Sequence, residues 1–409
     1  MDSILFLPEP APQIPLFSPE PNQIYLTSYS GSRNLPFLRL TQRFLQDGSI
    51  KKTRVVRNSH QSAGFIDSKT GISDVPLLTG LEVFEKLKAY RGKIKGKQQF
   101  LAMYSSIFGG ITTDAAAMVI PMDDHMVHRG HGVFDTAAIM DGSCRKEGVT
   151  ERQRYLYELD QHLDRFLRSA IRSKINPPFD RESIRRILIQ TVSASKCRNG
   201  SLRYWLSSGP GDFQLSSLGC HQSGLYAIVI QSQSPYSSTG VKVVTSSVPI
   251  KPPQFATTKS VNYLPNVLSK MEAEEDGAFA GIWLDDDGFV AEGPNMNVAF
   301  VNKEKELIMP HFDKILSGCT AKRVLTLAES LVKEGKIRGV RMKNVTVEEG
   351  KNADEMMLLG SGVLVCPVVQ WDDQVIGDGK EGPIAQTLLN LVVEDMKSGP
   401  PTVRSPVPY

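Results

Sequence analysis

Residues 257–300 read TTKSVNYLPNVLSKMEAEEDGAFAGIWLDDDGFVAEGPNMNVAF. Lys259 stands between a polar strand end, Thr257 and Thr258, and a run with apolar residues at Val261, Leu264, Leu268 and Met271. That spacing predicts a helix, with Pro265 in the first turn where its missing N–H costs little. Gly277 ends the helix, and 279–284 reads as a strand. Asp286, Asp287 and Gly288 supply a hairpin turn, after which the chain returns through Val290, Glu292 and Asn297 to Phe300. Lys259, at a helix entrance, and Glu292, on a return strand, are thus drawn toward one region. Either residue alone is ordinarily a solvated charge; the joint pattern is what makes them site candidates.

Lysine followed by Asn-Tyr-Leu, a helix, a hairpin and then Glu-Gly-Pro-Asn-Met-Asn-Val-Ala-Phe resembles the fold-type IV, or class IV, pyridoxal-phosphate enzymes. That family contains the D-amino-acid and branched-chain aminotransferases and aminodeoxychorismate lyase. Within it the chain is most similar to the plant chloroplast D-amino-acid transaminases. The resemblance implies that Lys259 forms the internal aldimine with pyridoxal 5'-phosphate and then serves as general base and acid. It implies that Glu292 supports the ring nitrogen, favouring the protonated ring that accepts electrons better. Tyr263, inside an Asn-Tyr-Leu like that of the branched-chain aminotransferases, is implied to touch the ring oxygen.

Working outward, the other motifs occur in the family's order. HRGHGVFDTAAIMDG (128–142) opens with a tight loop at Arg129, Gly130 and Gly132, and 133–140 reads as a strand. The resemblance puts this strand beside the substrate, with Phe134 where bacterial D-amino-acid transaminases carry tyrosine. In YLYELDQHLDRFLRSAIRSK (155–174), Leu163, Phe166, Leu167 and Ala170 fall at helical spacing and leave Arg165 at the edge of the apolar face. In HLDRF that arginine stands where the family grips the cofactor phosphate, a task suited to a planar fork.

Gly318, Cys319 and Thr320 precede a helix with apolar residues at Val324, Leu325, Leu327, Ala328 and Leu331. Free N–H groups and the dipole suit such a terminus to an anion. As a lone feature it is an ordinary cap; the resemblance makes it a phosphate loop. In LLGSGVLVCPV (358–368), Gly360, Ser361 and Gly362 allow close backbone approach, and Ser361 matches a family hydroxyl near the phosphate. The arginine and histidine that hold the substrate carboxylate in bacterial D-amino-acid transaminases have no counterpart in SGPGDF (208–213).

The 409 residues are enough for two domains plus an extension. Residues 1–74 cluster prolines, then Ser, Arg and Lys without apolar periodicity, and read as a disordered leader. A chloroplast transit peptide fits the Ser and Arg content; Asp2, Glu9 and Glu20 fit an ordinary tail better. Residues 75–97 read as a lead-in helix and 234–240 as a linker, and the resemblance implies a small N-terminal α+β domain at 98–233 and a larger, α/β-barrel-like cofactor domain at 241–409. Within these, 100–108 and 117–120 read as strands, SCRKEGVTERQR (143–154) as a polar surface loop, and 183–195 as a helix capped by Asp180. Segments 203–207, 225–231 and 241–246 read as strands, Asp372 and Asp373 as a hairpin, and 383–397 as a terminal helix.

Hydrophobic residues at 41% and charged residues at 22% fit a globular enzyme. A net charge of +3 with no basic stripe argues against nucleic acid, and no apolar run is long enough to span a membrane. Five cysteines without a Cys-x-x-Cys pair argue for free thiols rather than a disulfide framework or zinc. His125, His128, His131 and His162 read as loop residues rather than as metal ligands. The expectation is an α+β fold-type IV homodimer transaminating D-amino acids with a 2-oxo acid acceptor. Aminodeoxychorismate lyase, a branched-chain aminotransferase and a non-catalytic cofactor-binding protein remain as alternatives.

Overall fold

Period-two alternation along 133–140 creates the first layer. Val133, Ala137 and Ile139 point into a core shared with two helices, whereas Phe134, Thr136, Ala138 and Met140 point into a cavity on the other side. The computed structural model describes residues 75–93, 99–146, 149–231 and 239–408. The leader at 1–74 and most of the linker at 234–240 lie outside the described residues.

The strands are β1 (Gln99–Ser105), β2 (Gly110–Thr112), β3 (Gly132–Lys146), β4 (Val149–Tyr157), β5 (Gly200–Ser207), β6 (Gly224–Gln231), β7 (Val241–Thr245) and β8 (Ala280–Ile282). They continue with β9 (Glu292–Gly293), β10 (Met296–Val301), β11 (Glu306–Met309), β12 (Gly339–Met342), β13 (Glu355–Gly360), β14 (Leu364–Trp371), β15 (Gln374–Val375) and β16 (Arg404–Val407). The principal helices are α1 (Gly80–Lys93), α2 (His125–Arg129), α3 (Leu159–Arg172), α4 (Arg181–Ser195), α5 (Leu264–Glu275), α6 (Cys319–Lys333) and α7 (Pro383–Ser398).

The first sheet runs β16-β4-β3-β5-β6-β1-β2, every pairing antiparallel. One face is covered by α3 and α4, whose Leu163, Phe166, Ile184 and Leu188 are fully buried against Leu156, Leu202 and Tyr204. Asp180 starts α4 by accepting a hydrogen bond from the Ser183 N–H at 2.8 Å.

The second sheet runs β12-β11-β10-β13-β14-β7-β8, with β9 on β10 and β15 on β14. Trp283 N–H donates to the Glu292 carbonyl and Ala291 N–H to the Trp283 carbonyl, both at 2.9 Å. These bonds join the β8 end to β9, and because β9 already pairs with β10, the strands β7, β8, β9, β10, β13 and β14 close on themselves. This closed strip is the barrel-like body expected from the sequence. Its inside is filled by Val298, Phe300, Met356, Leu358 and Trp371. The alternate residues Ala299, Val301, Met357 and Leu359 face outward onto α6, α7 and the Ala138 and Tyr157 side of the first sheet. Fully burying each Val, Leu, Met or Phe of this set contributes roughly 1.5–3 kcal/mol.

Several local readings change. Residues 143–154 are not a surface loop; they lengthen β3 and β4 into a hairpin whose pairing runs to Lys146 opposite Val149. Residues 117–120 form no strand, because Asp114 caps a single turn of 3-10 helix at Ala115–Ala117. His125 and His128 lie in the short helix α2 and His162 is buried in α3. Residues 383–397 are not terminal, since β16 follows and returns to the first sheet. Helix α5 forms, but Leu264, Leu268 and Met271 are exposed whereas Asn266, Ser269 and Ala273 are buried. Small side chains let it lie close on β8, where a Cβ on Gly281 would meet Ser269 Oγ at 2.5 Å.

Candidate active site

A cavity of about 1650 Å³ is lined by both sheets. Phe134, Arg165, Lys259, Tyr263, Glu292, Cys319, Thr320, Ser361 and Gly362 all line it, so every residue singled out from the sequence reaches one space.

Lys259 is fixed through its backbone. Its carbonyl accepts from the Phe134 N–H at 3.0 Å, its N–H donates to Ser169 Oγ at 3.2 Å, and Val261 N–H donates to the Gly132 carbonyl at 3.0 Å. The segment thus lies across the start of β3 and against α3. Its Nζ donates to Tyr263 Oη at 3.1 Å and stands 4.7 Å from the Phe134 ring centre. Phe134 and Tyr263 meet edge to face at 5.0 Å, enclosing the amine on two sides.

Glu292 is 7% exposed. Burial pushes its carboxyl up to about 8, against the pull of Lys251, Lys259 and the Leu316 N–H. Asn297 Nδ2 reaches its Oε2 only at 3.5 Å and is better bonded to the Leu316 carbonyl at 2.9 Å. Such an underpaired buried carboxyl suits a cationic ring nitrogen.

Arg165, 6% exposed, projects from the first sheet's helical side. Its Nε and Nη2 donate to Asp135 Oδ2 and Oδ1 at 2.9 and 2.7 Å, and Nη1 contacts the Ser317 carbonyl at 3.3 Å. His162 Nδ1 lies 2.8 Å from Asp135 Oδ1. Burial opposes charge on Asp135, yet Arg165 and His162 hold its carboxyl far below the usual range. Burial likewise opposes the His162 imidazolium, but the Cys319 sulfur and the Asp135 carboxylate raise it to about 10.

Cys319 and Thr320 are the first residues of α6, whose cap residue Gly318 offers no side-chain acceptor to the free N–H groups. A Cβ on Gly318 would strike Asn297 Oδ1, so glycine is required for this approach. A guanidinium, a bare helix start and the Ser361 hydroxyl all line this cavity, and together they are a donor set suited to a phosphate dianion.

Sequence reasoning missed Asp135, which fixes Arg165, and Lys251, which also lines the cavity. Lys251 Nζ sits 4.9 Å from the Tyr263 ring centre; burial lowers its pKa, while Tyr263 and Glu292 raise it. An acid on the core side of a strand was a signal for Asp135; nothing in the proline-rich stretch around Lys251 gave one.

The Amino-transferase class IV family model matches residues 132–371. The chain belongs to the class IV aminotransferases. It is 65% identical over 344 residues to the chloroplastic D-amino-acid transaminase of Arabidopsis thaliana, covering 84% of this chain and 88% of that protein. It is 29% identical over 267 residues to a putative branched-chain-amino-acid aminotransferase of Methanocaldococcus jannaschii, covering 65% and 87%. Among solved structures, the PLP-form of the branched-chain amino acid aminotransferase of Thermobaculum terrenum superimposes with a TM-score of 0.65 at 22% identity, covering 76% of this chain and 99% of that one. The fold is that of the fold-type IV enzymes, and class IV aminotransferases depend on pyridoxal 5'-phosphate. No helix among the described residues is long and apolar enough to cross a membrane. Cys220, Cys319 and Cys366 are free thiols.

Proposed function

We propose that this class IV aminotransferase moves the amino group of D-amino acids to 2-oxo acids. The observation that carries the reading is the 65% identity to the Arabidopsis thaliana D-amino-acid transaminase across most of both chains, together with one cavity containing Lys259, Tyr263 and Glu292.

Bound in that cavity, pyridoxal 5'-phosphate supplies an electron sink for the pair left when a bond to the α-carbon breaks. Lys259 would be the residue that holds the cofactor, through Nζ. The freed Nζ, kept beside Tyr263 Oη, would act as the base that removes the α-carbon proton and as the acid that delivers it to the cofactor's C4′. Glu292 would serve as counter-ion to the ring nitrogen, and Tyr263 would contact the ring oxygen. Arg165 would hold the phosphate by charge, with the Cys319 and Thr320 N–H groups, the Thr320 and Ser361 hydroxyls and the open backbone at Gly362 as the remaining donors. Phe134 walls the substrate side.

The same reading includes a smaller domain at 98–233, a linker at 234–240 and a larger domain at 241–409. It also includes assembly as a homodimer and delivery to the chloroplast by the 1–74 leader, the last supported by the compartment in the relative's name.

The test is turnover of D-alanine with 2-oxoglutarate, alongside L-leucine with 2-oxoglutarate and aminodeoxychorismate alone. Selective use of D-alanine supports the reading. Exclusive pyruvate release from aminodeoxychorismate, or exclusive use of L-leucine, overturns it.

A further inference from the structure

A second, smaller cavity of about 170 Å³ lies against the first. A single layer of backbone separates the two. Along 315–318 the residues alternate, Leu316 and Gly318 lining the large cavity and Ile315 and Ser317 the small one. Thr257 likewise lines the small cavity while Thr258 and Lys259 line the large one, and Arg165 belongs to both.

The small cavity gathers two arginines that have no carboxylate. The other charged side chains of α3 are paired: Asp160 with Arg181 and Arg185, Asp164 with Arg181, and Arg165 and His162 with Asp135. Arg168 and Arg172, one helical turn apart, both line the cavity, and neither forms an ion pair among the described residues. Two like charges at that spacing destabilise a helix, and an anion between them removes the cost. Arg172 Nη1 donates to the Thr257 carbonyl at 3.1 Å, which anchors its fork at the cavity wall. Ser169, between the two arginines in sequence, accepts from the Lys259 N–H at 3.2 Å and donates to the Arg165 carbonyl at 3.0 Å. Asp313 also lines the cavity, but pairs with neither arginine among the described residues.

Unneutralised guanidinium groups with donors to spare suit an oxyanion. The space equals that of about five water molecules, enough for one tetrahedral oxyanion. We propose that Arg168 and Arg172 form an effector site for inorganic phosphate, back to back with the cavity that receives the cofactor, and that phosphate bound there loosens the cofactor. The loosening follows from charge: two anions share the field of Arg165 across one layer of backbone and repel each other. The site acts whichever amino acid the enzyme takes.

The test titrates holoenzyme, freed of excess cofactor, with inorganic phosphate by calorimetry at fixed ionic strength. The visible absorbance of bound cofactor shows that the cofactor's own phosphate site stays filled. Wild type is compared with Arg168→Gln, with the double variant Arg168→Gln/Arg172→Gln, and with Arg198→Gln, which removes an exposed arginine outside the cavity. Two charge-assisted contacts predict one phosphate per chain with a Kd on the order of 1 mM. The double variant should raise that Kd at least about tenfold. Arg168→Gln, which breaks no ion pair among the described residues, should give part of the loss, and Arg198→Gln none. Cofactor release on dilution should be about fivefold faster with saturating phosphate in wild type, and insensitive to phosphate in the double variant. No saturable binding to wild type, equal binding to the double variant, or an equal loss in Arg198→Gln overturns the site. Release that ignores phosphate in wild type, or that quickens equally in the double variant, overturns the coupling.

Discussion

Lys259 Nζ donates to Tyr263 Oη at 3.1 Å, although one residue directly precedes Ser260, which bridges to Val133 of the first sheet, and the other is the N-terminal cap residue of helix α5. The bond aims the amine into the cavity. Lys259→Ala should remove the cofactor-linked visible absorbance and lower transamination by at least about 10²–10⁴-fold. Tyr263→Phe should keep the absorbance and lower kcat about tenfold, the value of one hydrogen bond. Undiminished turnover by Lys259→Ala would remove the lysine from the chemistry.

Asp135 is the shared acceptor of a buried guanidinium and a buried imidazolium. Taking it away leaves two cations uncompensated, so Asp135→Ala should cost about 3–5 kcal/mol of folding stability. Cofactor and inorganic phosphate should also bind more weakly, because Arg165 loses its aim. Denaturant melts and equilibrium dialysis measure the two effects, and wild-type values in both would exclude this role.

The raised carboxyl of Glu292 makes a pH prediction for the cofactor-free protein. Between its ordinary value of 4.5 and about 8, the folded chain keeps a proton that the unfolded chain has released. Stability therefore falls as pH rises through that window, and Glu158, raised by burial to about 7, acts in the same direction. Glu292→Gln should flatten the decline. Equal slopes for the two proteins between pH 5.5 and 8 would contradict it.

Arg323 Nε and Nη2 donate to Asp395 at 2.8 and 2.5 Å, and Tyr157 Oη donates to the same carboxylate at 2.5 Å. The trio joins β4 to α6 and α7. Asp395→Ala should lower stability by about 3–5 kcal/mol, whereas Asp354→Ala, which frees only the exposed Lys303 and Lys305, should cost less than about 1 kcal/mol. Similar losses in urea melts of the two variants would refute the distinction.

Much of the cavity could be read from the chain because its parts are local motifs: a lysine before a proline-started helix, an acid after a hairpin, a glycine before a helix. Asp135 was hidden because its partners lie 27 and 30 residues away and only the fold pairs them. Helix α5 misled because periodicity identifies an apolar face without saying what covers it; small residues on the opposite face allow the close approach to β8. The 143–154 hairpin has few apolar residues, and its strands are held by backbone pairing that composition does not report. Residues 404–407 resemble a tail, since four residues with a proline carry little pattern. Pro406 is tolerated there because β16 is an edge strand.

That edge strand has a consequence for biosynthesis. Its pairing with β4 is reinforced by Gln153 donating to the Val407 carbonyl at 2.9 Å and by Arg185 reaching Ser405 at 3.3 Å. All other strands of that sheet are translated before residue 232. A nascent chain emerging from the ribosome therefore carries an uncapped flank at β4 while the whole barrel is still being made, and is open to mispairing for that time. For expression, an affinity tag is better not fused directly after β16, where it would crowd the docking of that strand on β4.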